Sequence, residues 1–430
     1  MDNRVDQALA ALQDLGSPAE IRVLADQGYA PQAPLQVNAH IHLPPNFSAF
    51  QSVSQAIELA SEQEIGVVGV SNYYDYHVYA EFVEQARAKN IFPLFGLEII
   101  SMQDDLRDAS VKVNDPGNPG KTYICGKGIT RFREMTPEAS RLLTLIRRND
   151  QHRMRETIAR LRSTFGERGL VVDIDDNSVI DRVVGRHHSP RDTVFLQERH
   201  ASQACQELLF EHVAPGDRIA RLNAILGAET KASSPQDEVG MQNDIRTHLM
   251  KAGKPAFVEE SYLSFDEAKR LIFELGGIPC YPTLADGTSP VCPFEENVDE
   301  LTVTLQGCGV HAAEWILPRN SIAVAREYVT RMRSAGLVLT AGTEHNTLDL
   351  IPLAPVCRDG PVPDDLQAIF WEGTCVVAAH QFLTLHGECG YVDTAGKLNP
   401  QYASAEERIV SLARIGAAVI RRYQETYAIQ

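Results

Sequence analysis

Ile65-Gly66-Val67-Val68-Gly69-Val70 is an uninterrupted apolar run of strand length. A strand with one wetted face alternates apolar and polar residues. A run without alternation needs cover on both faces, as in parallel sheets flanked by helices. A strand pattern at 35–42 precedes it, separated by the helical spacing of Val53, Ile57, Leu59 and Ala60. A further run, Ile91 to Ile100, follows a helix-patterned stretch at 78–89. Strand–helix–strand alternation with short connections predicts a parallel α/β sheet, either doubly wound or closed into a barrel.

The rhythm breaks after Ser101. Residues 103–130 are rich in Asp, Gly and Pro, and helical patterns fill about 136–166 and most of 192–250. The stretch 103–250 therefore reads as a largely helical insertion, a cap over whatever the sheet presents. The sheet rhythm resumes at Ser264, an N-cap with Glu267 three residues on, which is a capping box. Strands are expected at 276–282, 310–317 and 337–341, and helices over 363–388 and 404–427. The division expected is an N-terminal helical segment (1–34), a barrel (35–102 and 251–350), the insertion (103–250, carrying Arg186-His187-His188) and a C-terminal helical extension (351–430). Gly120-Lys121-Thr122 looks like the end of a phosphate loop, but Asp115 stands where the first glycine is required, and the reading is excluded. A loop carrying Lys121 and Lys127 towards a substrate remains as the expectation.

The net charge of −17 speaks against general nucleic-acid binding, which needs basic surface to displace counterions, but not against a small anionic substrate. No apolar run approaches the roughly 20 residues that span a bilayer, and the first residues carry no signal-peptide pattern. Eight scattered cysteines without a C-x-x-C pair point to reduced thiols and a cytoplasmic location. The partner expected is a small-molecule substrate, with no nucleic acid or membrane; a homo-oligomer is compatible with everything in the sequence.

Functional side chains in parallel α/β proteins collect at the carboxyl ends of strands. Here those ends carry His40 and His42, the stretch Asn72 to His77, Glu98, His188, Tyr281, and Glu344 with His345. His40 and His42, two apart on a strand, present two imidazoles to one face, half of a transition-metal site. Taken singly each histidine has a bland structural reading, and an ion pair is the bland reading for the arginines beside His188. The ordered set is harder to explain structurally.

The order of motifs resembles the polymerase-and-histidinol-phosphatase (PHP) family of metal-dependent phosphoesterases. The matching stretches are His40-Ile41-His42, Ser71-Asn72-Tyr73, Gly96-Leu97-Glu98, Arg186-His187-His188, Gly276 to Pro282 and Gly342-Thr343-Glu344-His345-Asn346; Gly253 to Val258 is also similar to family members. The resemblance implies a distorted (β/α)7, TIM-like barrel holding one to three divalent ions (zinc, manganese or iron), most often two. By the family pattern His40, His42, Glu98 and Glu344 hold one metal. A second shares Glu98 and takes His188, with Tyr281 where the family has another histidine. The family's third-site histidines fall on Ser48, Tyr73 and Asn346, so either Asp75, His77 or His345 replaces them or the third site is empty.

The chemistry implied is hydrolysis of a phosphate ester by a metal-activated water, with Arg186, Arg191, Tyr281 and His345 as catalytic candidates. Lys121, Lys127, Tyr73 and Asn346 are the substrate-binding candidates, and Glu314 a residue that could orient a ligand histidine. Two alternatives stay open: a metal-dependent hydrolase, lyase or isomerase acting on a sugar-like or organic-acid substrate, or a non-catalytic degenerate barrel.

Overall fold

The computed structural model describes residues 9–428. Of the expected N-terminal helical segment, residues 1–8, including Val5, lie outside the described residues. Helix α1 (Pro18–Asp26) opens on a capping box between Ser17 and Glu20. The strands that follow are β1 (Gln36–Ile41), β2 (Ile65–Val70), β3 (Phe92–Met102), β4 (Lys121–Lys127), the two-residue β5 (Leu263–Ser264), β6 (Ile278–Thr283), β7 (Ala312–Ile316) and β8 (Val338–Gly342). The main sheet runs β1-β2-β3-β4-β6-β7-β8, with β5 added beside β3. It nearly closes on itself. Past the end of β8, the amides of Thr343 and Glu344 donate to the His40 carbonyl (3.2 and 2.9 Å), and the His42 amide donates to the Glu344 carbonyl (2.9 Å). This is the distorted TIM-like barrel that the family resemblance implies, and it is one of the two parallel arrangements, doubly wound or closed, that the apolar runs leave open.

Helices α2 (Val53–Glu62) and α3 (Val78–Ala88) connect the first three strands. The β2 residues are buried on both faces save a half-exposed Gly66, which is why the run carries no alternation. One revision concerns residues 121–127, expected in a loop. They form β4, antiparallel to both β3 and β6, in an otherwise parallel barrel wall.

The insertion proper holds α4 (Pro137–Glu167), α5 (Asp176–His187), α6 (Glu198–His212), α7 (Arg218–Leu226) and α8 (Glu238–Ile245). It has its own apolar core, in which Met154, Ile158, Leu161 and Phe165 of α4 meet Ala201, Cys205 and Leu209 of α6. The first half of α4 (Ala139, Leu142, Leu143, Ile146) belongs instead to the barrel core. At about 1.5 Å per residue the 31-residue helix is roughly 46 Å long, enough to root the insertion in the barrel and still support a second core.

Helix α9 (Phe265–Glu274) starts at the expected Ser264/Glu267 capping box. With α10 (Val298–Gly307) and α11 (Ile322–Ser334) it supplies the helices associated with the later strands. The C-terminal extension is α12 (Asp364–Leu385) and α13 (Ala405–Thr426). Helix α12 lies against the amino ends of the strands: a Cβ on Gly373 would sit 1.9 Å from the Leu339 carbonyl oxygen, so only glycine lets the helix approach this closely. Gln381 exchanges hydrogen bonds with the Phe95 amide (2.9 Å) and the Pro93 carbonyl (3.1 Å). The barrel is thus stopped at its amino-terminal end and open only at the carboxyl end. Among the described residues no helix is long and apolar enough to cross a membrane.

Candidate metal centre

His40 and His42 emerge at the end of β1 and Glu98 stands midway along the long β3, all three almost fully buried. His40 Nε2 and His42 Nε2 lie 3.2 Å apart, and Glu98 Oε2 is 3.3 and 3.1 Å from them. Glu98 Oε2 and His42 Nδ1 have no hydrogen-bond partner. The other Glu98 oxygen accepts the Tyr73 hydroxyl at 2.8 Å, and the Tyr73 ring stacks on His42. Ser48 donates to the His42 carbonyl (2.7 Å), bracing that ligand's backbone.

The opposite edge of His40 is tied down from below. Its Nδ1 meets Glu314 Oε2 at 2.5 Å. Glu314, on β7 and fully buried, also pairs with Lys127 Nζ (2.6 Å) and accepts Thr340 Oγ1 (3.2 Å). An ionised carboxylate only accepts, so the Nδ1 proton stays on His40 and Nε2 is left facing the other two donors. Burial is the largest influence and acts against a charged His40, as does Lys127, but the Glu314 charge and hydrogen bond together with the Glu98 carboxylate push the imidazole up to about 9. Burial would likewise raise the Glu98 carboxyl, but the imidazoles of His40 and His42, 3.3 and 3.1 Å from its Oε2, win and hold it well below its ordinary value. The position favours positive charge, whether an extra proton or a cation.

The donors fit a divalent ion. Atoms sharing an ion at about 2.0–2.2 Å stand roughly 3.0–3.5 Å apart, the spacing found here. Two imidazoles and one carboxylate on one side of a metal, with further positions open, is a set used by hydrolytic zinc and non-haem iron sites. His40, Cys125 and Glu314 form a second cluster of potential donors, but there Glu314 is already neutralised by Lys127. The geometry makes Glu314 the group that orients His40.

Above the triad opens a cavity of about 470 Å³, between the barrel mouth and the insertion. Tyr73, Glu98, Lys121, Glu344 and Asn346 are among the residues that line it. Lys121 is held by Glu260 (2.8 Å) and Asp115 (3.5 Å), which with nearby Tyr123 keep its ammonium charged despite burial. Glu344 is engaged by Arg319 and by the Asn346 amide (2.7 Å), not by the histidines.

Other expected residues lie elsewhere. Lys127 turns into the barrel, where Glu314, the Ala39 carbonyl (3.0 Å) and Ser71 Oγ (3.2 Å) use its three donors, so it supports His40 instead of reaching a substrate. His188 caps the end of α5 in a left-handed conformation, exposed and outside the cavity lining. Arg186 pairs with Glu207 and Arg191 with Asp181. Tyr281 is buried and donates to Glu295 (2.7 Å). Both His345 ring nitrogens are occupied, by Thr343 Oγ1 (2.7 Å) and the Ile351 carbonyl (2.9 Å), and its ring stacks on Phe50. Asp75 lies 3.8 Å from both His77 and Arg147, away from the triad.

The sequence reading missed the roof of the cavity. The Arg-His pair that the fold brings there is Arg199-His200, at the start of α6, with Arg199 in the lining. The available signal was its place at a helix start in a charged stretch, Gln197-Glu198-Arg199-His200.

Fold and site together define a class: a TIM-like α/β barrel with a buried two-histidine, one-carboxylate centre at the carboxyl ends of its strands. No protein-family model matches the chain. No curated protein matches it either. Among solved structures it is similar to a protein assigned as a metal-dependent phosphoesterase from Bifidobacterium adolescentis, at 14% identity and TM-score 0.52, covering 79% of this chain and 96% of that one. It also matches an amidohydrolase from Chromobacterium violaceum at 16% identity and TM-score 0.48, covering 78% and 96%. At 14% identity the likeness to the first of these speaks for the fold alone.

Proposed function

We propose that the protein is a metal-dependent hydrolase of the phosphoesterase type, an outlying member of the PHP family, acting on a small phosphorylated metabolite. The observation that carries this reading is the His40–His42–Glu98 triad opening onto a cavity in which Lys121, Arg153, Arg246, Lys251 and Arg319 are paired with the lining carboxylates Asp115, Glu198, Glu260 and Glu344, while Arg199 is left without an ion pair among the described residues. Hydrolysing a phosphate ester needs positive charge fixed around oxygens whose charge develops in the transition state, in a site where water does not screen it. A bound divalent ion supplies Lewis acidity and a water acidified to a pKa of around 7.

The remaining work falls to the chain itself. Glu314 fixes the His40 ring and its Nδ1 proton, a role worth roughly 10–100-fold in metal affinity at such sites. Tyr73 holds one Glu98 oxygen so that the other faces the histidines. Arg319 keeps Glu344 turned into the cavity wall. Tyr74, Tyr123 and Tyr262 line the distal part and offer apolar faces to an organic group.

Metal analysis of the purified protein and of Glu98→Ala tests the centre: about one or more equivalents are expected in the first and background in the second. A screen of phosphomonoesters with Mn²⁺ and Zn²⁺ tests the reaction. Metal bound with silence on every phosphate ester would remove the phosphoesterase assignment and leave the metal site standing.

A further inference from the structure

Helix α6 begins at the cavity, and its first residues divide the labour of the roof. Glu198 gathers three cations: Lys251 (2.8 Å), Arg153 (3.2 Å) and Arg246 (3.3 Å). Arg199, the next residue, is different. Among the described residues no carboxylate lies within ion-pair distance of its guanidinium, and its one ring contact is the face of Phe47, 5.9 Å from the centroid. The charges nearest it include those of Arg246 and Arg319, and the nearby carboxylate, Glu344, is already taken by Arg319 and Asn346. Burial first, and then the Arg246 charge, pull the Arg199 guanidinium down to about 10. That still leaves it charged at neutral pH. A half-buried charge without a partner is costly, and the space in front of this one is the 470 Å³ cavity.

We infer that Arg199 is a substrate-binding residue that receives a phosphoryl group of the substrate within the cavity, with Arg246 and Arg319 adding to the field that holds it. The planar fork of a guanidinium matches two oxygens of a tetrahedral oxyanion, and Arg199 is the lining cation whose fork no carboxylate among the described residues already fills. The nearby ionisable groups also include Tyr73, whose hydroxyl is bound to Glu98, so the phosphoryl group would lie towards the triad and not at the outer rim. This rests on the cavity being the active site, but it asks a separate question, namely which side chain outside the triad recognises the anion.

The test titrates inorganic phosphate into the full-length protein as purified, into Arg199→Gln and into Arg199→Lys, with metal content measured on each. Arg199→Gln is expected to weaken phosphate binding at least about tenfold, and Arg199→Lys less, with metal content unchanged in both. A second measurement uses the wild-type chain and Glu98→Ala: phosphate should slow modification of Arg199 by phenylglyoxal, read by mass spectrometry, in both proteins. Phosphate binding equal to wild type in Arg199→Gln, or no protection of Arg199 by phosphate, overturns the inference even if metal is present. Protection in a protein that holds no metal upholds it while removing the hydrolase reading.

Discussion

In the barrel, His40, Lys127 and Glu314 stand on β1, β4 and β7, with 4% exposure or less at each side chain. In the insertion, Glu198 meets Arg153, Arg246 and Lys251, whose exposures run from 12 to 46%. Both are clusters of opposite charge, built on different supports. The barrel group is fixed by backbones hydrogen-bonded on both sides, and each polar atom has a set direction. The insertion group hangs on long side chains from helices around a separate core. Rigid strands suit a site that must hold three donors about 3 Å apart; longer arms on a second core suit a surface that meets a ligand. Metal affinity should therefore be a property of the barrel, and ligand choice a property of the insertion.

The largest expected effect breaks the barrel side. Glu314→Ala leaves Lys127 buried without its counter-ion and should cost about 3–5 kcal/mol in urea denaturation. A loss under about 1 kcal/mol would mean that this cluster is as yielding as the roof. Next is the join between β8 and β1. A Cβ on Gly342 would lie 2.4 Å from the His40 Cβ, so Gly342→Ala should destabilise by about 1–3 kcal/mol and weaken metal binding as His40 shifts. Unchanged metal affinity in the folded variant would show that the ligand strand is not positioned by that contact.

The roof gives a smaller, pH-dependent effect. Burial would raise the Glu198 carboxyl, but Lys251, Arg153 and Arg246 hold it below its ordinary 4.5. A carboxyl depressed on folding contributes stability that is complete above the ordinary value and is lost as pH falls through the folded one. Glu198→Gln should cost about 1–2 kcal/mol at pH 7, and that difference should shrink as the buffer is taken below pH 4.5. A difference that stays constant down to pH 3 would deny the carboxylate its role. The smallest effect belongs to Arg191→Gln, which removes a half-exposed ion pair with Asp181 and should change stability by under about 0.5 kcal/mol with turnover unchanged. A large loss of turnover would return Arg191 to the chemistry and erase the distinction between cavity and surface arginines.

The barrel was legible where burial dictates residue type. Ile65 to Val70 is apolar throughout because helices and the barrel interior cover it, and Ser264 with Glu267 marks a helix start chemically. His40, His42 and Glu98 were readable as candidates because two imidazoles on one strand face and a carboxylate on a nearby strand are hard to explain as core packing. Strand β4 was not, for a physical reason. One of its faces carries Lys121, Tyr123, Cys125 and Lys127, polar in part because it borders the cavity and the buried ion pair, so its alternation resembles a charged loop next to an Asp- and Gly-rich turn. His188 came from the family pattern, and Arg199 was not singled out because local sequence does not say which helix end faces the barrel. That depends on how α4 carries the insertion back over the mouth, a matter of long-range packing.

The hydrogen bonds from Thr343 and Glu344 to the His40 carbonyl have a consequence for the order in which the protein is made. Synthesis runs from the amino terminus, so the His40–His42 pair leaves the ribosome long before Glu314 and Gly342 exist. Until they arrive, His40 has neither the carboxylate that sets its ring nor the neighbour that closes the wall. Binding of an ion at this place should therefore wait until β7 and β8 have been made, and a shorter chain carries two imidazoles whose rings nothing yet orients.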